Sequence, residues 1–316
     1  MNQPINLCFV FDEKFADFFK VALLSIDSNT SSELAVYVVD CGISEKKLIE
    51  LEQFVSTLEN VVLLKFGRPK REQVFEDFSM EERFSSAVFY RLAIPKIFPE
   101  LERVIYLDCD IIANDDIIKL WNEDLAGCPF GAVEEEGNLF SQSAHRKHKE
   151  KFNIPADHKY FNSGVLLIDC KKFEQSRVYE RVLEAIKNAD VPFIFPEQDA
   201  MNFCLNNDEH YSLSPKYNFC PFTPLAKDVL RKEKRLALIE FTCVKPWFFN
   251  RKLVRVFARL HICSYTVKFL LLFWKYSDQV DKERYQSKDI SYTLKFFYKR
   301  LFQPVEKLFT GKLFKR

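Results

Sequence analysis

The chain has 316 residues, 47% of them hydrophobic and 29% charged, with a formal net charge of +1. That is enough apolar material for a large core, and it excludes an intrinsically disordered chain. The near-zero total conceals an uneven distribution, because residues 250–316 carry 16 Lys and Arg against 5 Asp and Glu, which leaves residues 1–249 acidic. A basic segment on an acidic body suggests attachment to something anionic, either nucleic acid or lipid. The nine cysteines are odd in number, widely spaced and without a C-x-x-C pair, a pattern that predicts free thiols in a reducing compartment. The amino terminus MNQPINLCFVF lacks a basic region followed by an apolar stretch and a small-residue cleavage site, so secretion is not expected. The most apolar window near the carboxyl end includes Arg259, His261 and Lys268, which argues against a membrane-spanning helix.

In chain order, NLCFVF reads as a strand ending at Asp12, followed by a helix from about Phe15 to Ile26. AVYVV is a second strand ending near Asp40. A helix from Glu45 follows, with Leu48, Leu51, Phe54, Val55 and Leu58 spaced for one apolar face, and VVLLKF at 61–66 supplies a third strand. The helix around SSAVFYRLAIP is expected to end before Pro95, because the residue preceding proline is biased out of the α region. Next comes VIYLDCDIIAND, in which a buried strand, Val104 to Leu107, runs into Asp108 and Asp110. Further on, KYFNSGVLLID repeats the strand pattern, Gly164 allowing close backbone approach. PEQDAMNFCL places Glu197, Gln198 and Asp199 at a helix start, where carboxylates suit the exposed N–H groups. His145 and His148 share a helical face within SQSAHRKHKEKF and are expected to be solvated.

Strand, helix, strand, helix predicts an α/β fold with a mostly parallel central sheet, whose ligands bind beyond the carboxyl ends of the strands. Asp12, Asp40 and Asp108 fall at those ends and suggest a shared crevice. A lone D-x-D is an ordinary surface turn more often than a metal site, so its context must decide. Like charges this close repel unless solvated, protonated or bridged by a cation. The chain has no G-x-G-x-x-G after its first strand and no P-loop. A bound nucleotide would therefore depend on a divalent cation at the aspartates, since hard cations bind carboxylate and phosphate oxygens together.

Seven ordered stretches, CFVFDEKF, FYRLAIPKIFP, VIYLDCDIIAND, HKYFNSGVLLID, FPEQDAMN, PKYNFCP and FTCVKPWFFN, together resemble glycosyltransferase family 8 across residues 5–249. A later LLFWKYS resembles an aromatic-lysine segment of the same family. The resemblance implies a nucleotide-diphospho-sugar transferase fold of type A, with residues 1–249 as the catalytic domain and 250–316 as a basic, aromatic-rich helical region. It implies a metal-dependent retaining enzyme that moves glucose or galactose from UDP-glucose or UDP-galactose to lipopolysaccharide or another glycolipid or glycan. Mn2+ is the implied ion, with Mg2+ an alternative. Asp108 and Asp110 would hold the metal, Arg91 would stand beside the donor, and Val10, Asp12 and Phe15 would line the uridine pocket. Asn162, Glu197 and Gln198 would flank the sugar, and Lys245 would contact the diphosphate.

The chain also departs from the family pattern. The family has a histidine before K-P-W that completes the metal site, whereas here LIEFTCVKPW is about one residue shorter and Glu240 lies nearest that position. Glu197 stands where aspartate is usual, and Lys14 replaces an amide in the uridine pocket. These departures keep two rivals open: a transferase with a different nucleotide-sugar donor, and a non-catalytic member that binds nucleotide or membrane. An amide at Gln198 is a poor nucleophile, which favours same-face departure and attack over a covalent intermediate. Ile290, Leu294, Phe297 and Leu301 recur at helical spacing among Lys295, Lys299 and Arg300, so residues 250–316 are expected to lie on an anionic membrane surface at the cytoplasmic face. A nucleic-acid partner is not expected, because it would leave the D-x-D without a role.

Overall fold

The computed structural model describes residues 3–70, 86–135, 142–190, 192–223, 226–242, 244–281, 287 and 290–298. The chain divides into two compact units, Met1–Glu240 and Phe241–Arg316. Among its described residues the first has nine strands: β1 (Ile5–Phe11), β2 (Leu34–Asp40), β3 (Val61–Gly67), β4 (Arg103–Leu107), β5 (Ile111–Ala113), β6 (Phe130–Glu134), β7 (Phe161–Asp169), β8 (Tyr211–Leu213) and β9 (Leu238–Glu240). Seven form one sheet in the order β3-β2-β1-β4-β7-β6-β8, and β5 pairs with β9 in a second, two-stranded sheet. β3, β2, β1 and β4 run parallel, while β7 is antiparallel to both β4 and β6.

The central strands are apolar throughout because both sheet faces are covered. Leu7, Phe9, Ile105 and Leu107 point into one core with Phe19, Leu23 and Leu51. The alternate residues Cys8, Val104 and Tyr106 point into the other with Phe89, Leu92, Val182 and Met201. The helix Ala16–Asp27 follows β1 as the periodicity predicts, and Glu45–Val55 buries Leu51 and Val55 against the sheet, with Leu48, Phe54 and Leu58 packed beside them. Pro95 does not end its helical segment. A 3-10 stretch, Ser86–Ala93, leads into a short helix, Ile94–Ile97, in which Pro95 occupies the first turn. Proline is tolerated there because the first turn makes no use of its missing N–H.

The second unit contains the helices Arg251–Arg259 and Ser264–Val280 and a helical stretch at 290–298. Its interior holds Val254, Leu270, Phe273, Trp274 and Phe297. Arg251 is buried there, pairs with Asp278 and lies 5.1 Å from the centroid of the Trp274 ring. The stripe anticipated at Ile290, Leu294, Phe297 and Leu301 is divided. Ile290 and Leu294 are half exposed, whereas Phe297 turns inward to rings of Phe257 at 4.5 Å and Phe249 at 6.3 Å. Lys299, Arg300 and Leu301 lie outside the described residues. Among the described residues no helix is long and apolar enough to cross a membrane, and the eight described cysteines are all free thiols.

Candidate active site

Three strand pairings assemble one group of side chains at the carboxyl end of β4. Leu107 is opposite Val165 in the antiparallel ladder, so Gly164 comes beside Asp108, whose N–H donates to the Gly164 carbonyl at 2.8 Å. The antiparallel direction of β7 thus delivers Asn162, Ser163 and Gly164 to the D-x-D. The second sheet pairs Ile111 with Glu240, which returns the end of β9 to Asp110. β1 and β4 pair through Cys8 and Tyr106, so Val10 and Asp108 lie two residues beyond the same rung.

Asp108, Asp110 and Glu240 each offer a carboxylate oxygen, and these oxygens all lie within 4.8 Å of one another. Asp110 and Glu240 are buried, and Asp108 is partly exposed. A Cβ added at Gly164 would stand 2.9 Å from Glu240 Oε1, so this glycine leaves the cradle in which the carboxylate sits. Burial, opposed by Arg91 and reinforced by Asp110, pushes the carboxyl of Asp108 up to about 6. Three crowded carboxylates beside the Arg91 guanidinium match the donor set of a hard divalent ion. The residues therefore fit a metal.

Arg91 is buried and binds on several sides. Its guanidinium pairs with Asp108 at 3.1 Å and Glu197 at 3.2 Å, donates to the Ser163 carbonyl at 2.8 Å and to Ser163 Oγ at 3.1 Å, and lies 4.7 Å from the centroid of the Tyr106 ring. Its Nε–H donates to the Val88 carbonyl at 3.0 Å, which anchors the fork to its own 3-10 segment. The Tyr106 hydroxyl donates to Asp108. A rigid planar donor of this kind suits two separated carboxylates better than a lysine would.

Gln198, on the helix Pro196–Cys204, has a fixed amide orientation. Its Oε1 accepts from the Ser163 N–H at 3.1 Å, while Nε2 donates to Tyr160 Oη at 3.1 Å and to Glu135 Oε2 at 3.2 Å. Tyr160 in turn donates to Asp199 at 2.5 Å, and Asp199 also receives His148 Nε2 at 2.7 Å. His148 and His145 are therefore buried, not solvated as their polar surroundings suggest. Asn162 Oδ1 accepts from the Gly164 N–H at 2.7 Å and from Asn218 at 2.9 Å.

Sequence reasoning overlooked Glu135. It is buried, its Oε1 has no hydrogen-bond partner, and burial followed by the charge of Glu240 raises its carboxyl well above the usual range. The signal was present in GAVEEE, an apolar strand that runs into carboxylates as β4 does. Asp12 and Asp40 are engaged locally. Asp12 accepts from the Lys14 N–H at 3.0 Å; Asp40 accepts from Gly42 and Ile43 N–H and pairs with Arg68 at 2.7 Å. Phe15 is 44% exposed beside Phe18. Lys245 belongs to the second unit, its Nζ 5.6 Å from the centroid of the Trp247 ring.

A mixed sheet flanked by helices, with a metal-ready D-x-D at the exit of its central strand, defines a nucleotide-sugar transferase fold of the GT-A type. The chain belongs to glycosyl transferase family 8, whose family model matches residues 6–251. It is 30% identical to general stress protein A of Bacillus subtilis over 266 residues, covering 78% of this chain and 87% of that protein. It is 27% identical to lipopolysaccharide 1,2-glucosyltransferase of Escherichia coli K12 over 262 residues, covering 78% and 73%. In fold it resembles the galactosyltransferase LgtC solved with donor and acceptor sugar analogues, with a TM-score of 0.70 and 22% identity over 88% of this chain and 96% of that one.

Proposed function

We propose that this chain transfers glucose or galactose from a UDP-sugar to a lipopolysaccharide or another glycolipid or glycan acceptor, with retention of anomeric configuration. The observation that carries this reading is the convergence of Asp108, Asp110 and Glu240 at the carboxyl end of β4 in a family 8 chain. Mn2+ or Mg2+ held there would neutralise charge growing on the β-phosphate oxygen when its bond to the sugar breaks. Arg91 pairs with both Asp108 and Glu197 and fixes their carboxylates in place. Val10, Asp12 and Phe15, at and just beyond the end of β1, face the uridine in this reading. Asn162, Glu197 and Gln198 flank the sugar, with Glu135 behind Gln198. Because Gln198 Oε1 is committed to the Ser163 N–H, its amide orients the sugar and does not attack it. The acceptor oxygen then bonds to the anomeric carbon on the face that the phosphate leaves, and its hydroxyl proton passes to the departing phosphate oxygen.

The test is release of UDP from UDP-glucose, UDP-galactose and their N-acetyl forms, with Mn2+ and with EDTA. Cation-dependent release from one of the two simple hexose donors is expected. Release only from an N-acetyl form would move the donor, and silence across all four would favour a binding protein.

An anionic membrane at the cytoplasmic face is the proposed location of the acceptor. Support comes from the helix Arg251–Arg259, on which Lys252, Arg255, Val256, Arg259 and, one residue beyond it, Leu260 are exposed along one stripe. This mixture of cations and apolar groups suits a headgroup layer. Each cation near such a surface contributes about 1 kcal/mol. Arg255→Glu with Arg259→Glu in the full chain should therefore cut co-sedimentation with phosphatidylserine vesicles by more than about tenfold, and unchanged partitioning would remove this helix from the interface.

A further inference from the structure

The chemistry of the three-carboxylate cluster goes further than the presence of a cation. Asp108, Asp110 and Glu240 are the only set of His, Cys, Asp and Glu side chains among the described residues that converge in this way, and every donor is oxygen. None of the described histidines converges on this cluster: His261 is exposed and the buried His145 packs edge-on to Tyr160. His148 is bound to Asp199, His158 to Asn202, and His210 is packed against Phe161. Cys220 Sγ lies 3.9 Å from Glu240 Oε2, but it is not one of the converging side chains. Glu240 is also firmly placed. It lies in the β5–β9 ladder opposite Ile111, its N–H donates to the Phe219 carbonyl at 3.0 Å, and its carboxylate occupies the space left by Gly164.

We propose that Glu240 makes this a hard-cation site, in which Mg2+ and Mn2+ support nucleotide binding about equally and Co2+ and Ni2+ gain no large advantage. The inference rests on the nucleoside-diphosphate reading above and adds the identity of the ion. At a given site affinity for first-row divalent ions climbs from Mn2+ through Co2+ to Ni2+, and an imidazole donor steepens that climb, whereas carboxylate and phosphate oxygens suit Mg2+, Ca2+ and Mn2+ alike. A third carboxylate also adds negative charge. That charge strengthens attraction for any divalent ion without sorting one transition metal from another. Glu240 thus determines selectivity, with Asp108 and Asp110 as the common anchors.

The experiment is titration calorimetry of UDP onto the full chain in saturating Mg2+, Mn2+, Co2+ or Ni2+ and in EDTA, with Mn2+ displacement followed by electron paramagnetic resonance. In the wild type the UDP affinities with Mg2+ and Mn2+ should agree within about tenfold. Glu240→His should widen the gap in favour of Mn2+, Co2+ and Ni2+ by a further tenfold or so. Glu240→Gln, which keeps the shape and an oxygen donor, should weaken binding with every ion by a similar factor and leave their order unchanged; its circular dichroism checks that the fold survives. A wild type that prefers Mn2+ over Mg2+ by a hundredfold, or an unchanged order in Glu240→His, overturns the inference while the cation-dependent reading stands. UDP binding that is the same in EDTA overturns both.

Discussion

Gly164→Ala is the most economical test of the site, because it adds one methyl group at a position where the structure shows what that group would meet. An ideal Cβ there lies 2.9 Å from Glu240 Oε1, 3.0 Å from Glu240 Cδ and 3.0 Å from Asn162 Oδ1. Ordinary contact requires about 3.5 Å, so the Glu240 carboxylate must retreat by about half an ångström. The fold should absorb this readily. The obstructing atoms are side-chain ends, and alanine lowers the entropy of the unfolded chain relative to glycine. Urea unfolding in EDTA should therefore change by less than about 1 kcal/mol in either direction. Metal coordination tolerates displacement poorly, since ligand distances are fixed to within about 0.2 Å. Cation-supported UDP binding by calorimetry should weaken about ten- to a hundredfold, the range seen when the support of a ligand is disturbed. Unchanged binding would mean that Glu240 does not ligate the ion. A stability loss above about 3 kcal/mol would mean that the β7 backbone takes the strain, and the coupling argued from Gly164 would fail.

Three other perturbations probe the surroundings. Arg91→Leu leaves Asp108 and Glu197 without their shared cation and should cost about 3–5 kcal/mol in urea unfolding, with Arg91→Lys recovering only part because an ammonium cannot span both carboxylates; a loss below about 1 kcal/mol would show that the network is not cohesive. Burial, and secondarily His158, lowers His210 to about 4. Its unfolded form takes a proton first as pH falls below about 6.5, so stability complete above that value is lost towards pH 4, by up to about 3 kcal/mol. His210→Leu should flatten that slope, and an unaltered slope in urea midpoints at pH 7 and 5 would assign the acid sensitivity elsewhere. Glu135 has the opposite sign, since its raised folded pKa means stability present below its unfolded value is lost as pH rises. Glu135→Gln in EDTA should therefore gain on the wild type between pH 5 and pH 8, and a pH-independent difference would rule out a buried acid there.

Much of the fold was legible because each apolar run carried its own terminator. Asp12, Asp40 and Asp108 mark the ends of β1, β2 and β4 because a carboxylate cannot continue into a two-sided core. Strand direction was not legible. VLLI in β7 and VIYL in β4 are the same kind of sequence, and an apolar run reads alike in a parallel or an antiparallel strand. That missing direction brings Asn162, Ser163 and Gly164 to Asp108. Pro95 misled for a related reason, since proline closes one helix and opens another with equal ease and only the preceding 3-10 turn decides between them.

The site divides in the same way between what is local in sequence and what is local only in space. Asp108 and Asp110 announce themselves, because two carboxylates one residue apart at a strand exit must be solvated, protonated or bridged. Glu240 could be suspected only through the family resemblance, as the residue nearest the histidine position before K-P-W; the β5–β9 ladder, which spans well over a hundred residues of sequence, brings it to the aspartates. His148 shows the limit most sharply. The helix Gln142–Lys151 is polar along its length, and nothing in QSAHRKHKEK separates a buried histidine from a solvated one. The deciding partner, Asp199, lies 51 residues later and simultaneously accepts the Tyr160 hydroxyl and the Phe195 N–H. A buried imidazole is tolerable only where such a partner exists. The same chain of bonds then passes from Tyr160 to the Gln198 amide, so a histidine that reads as surface charge helps to set the orientation of a residue at the centre of the site.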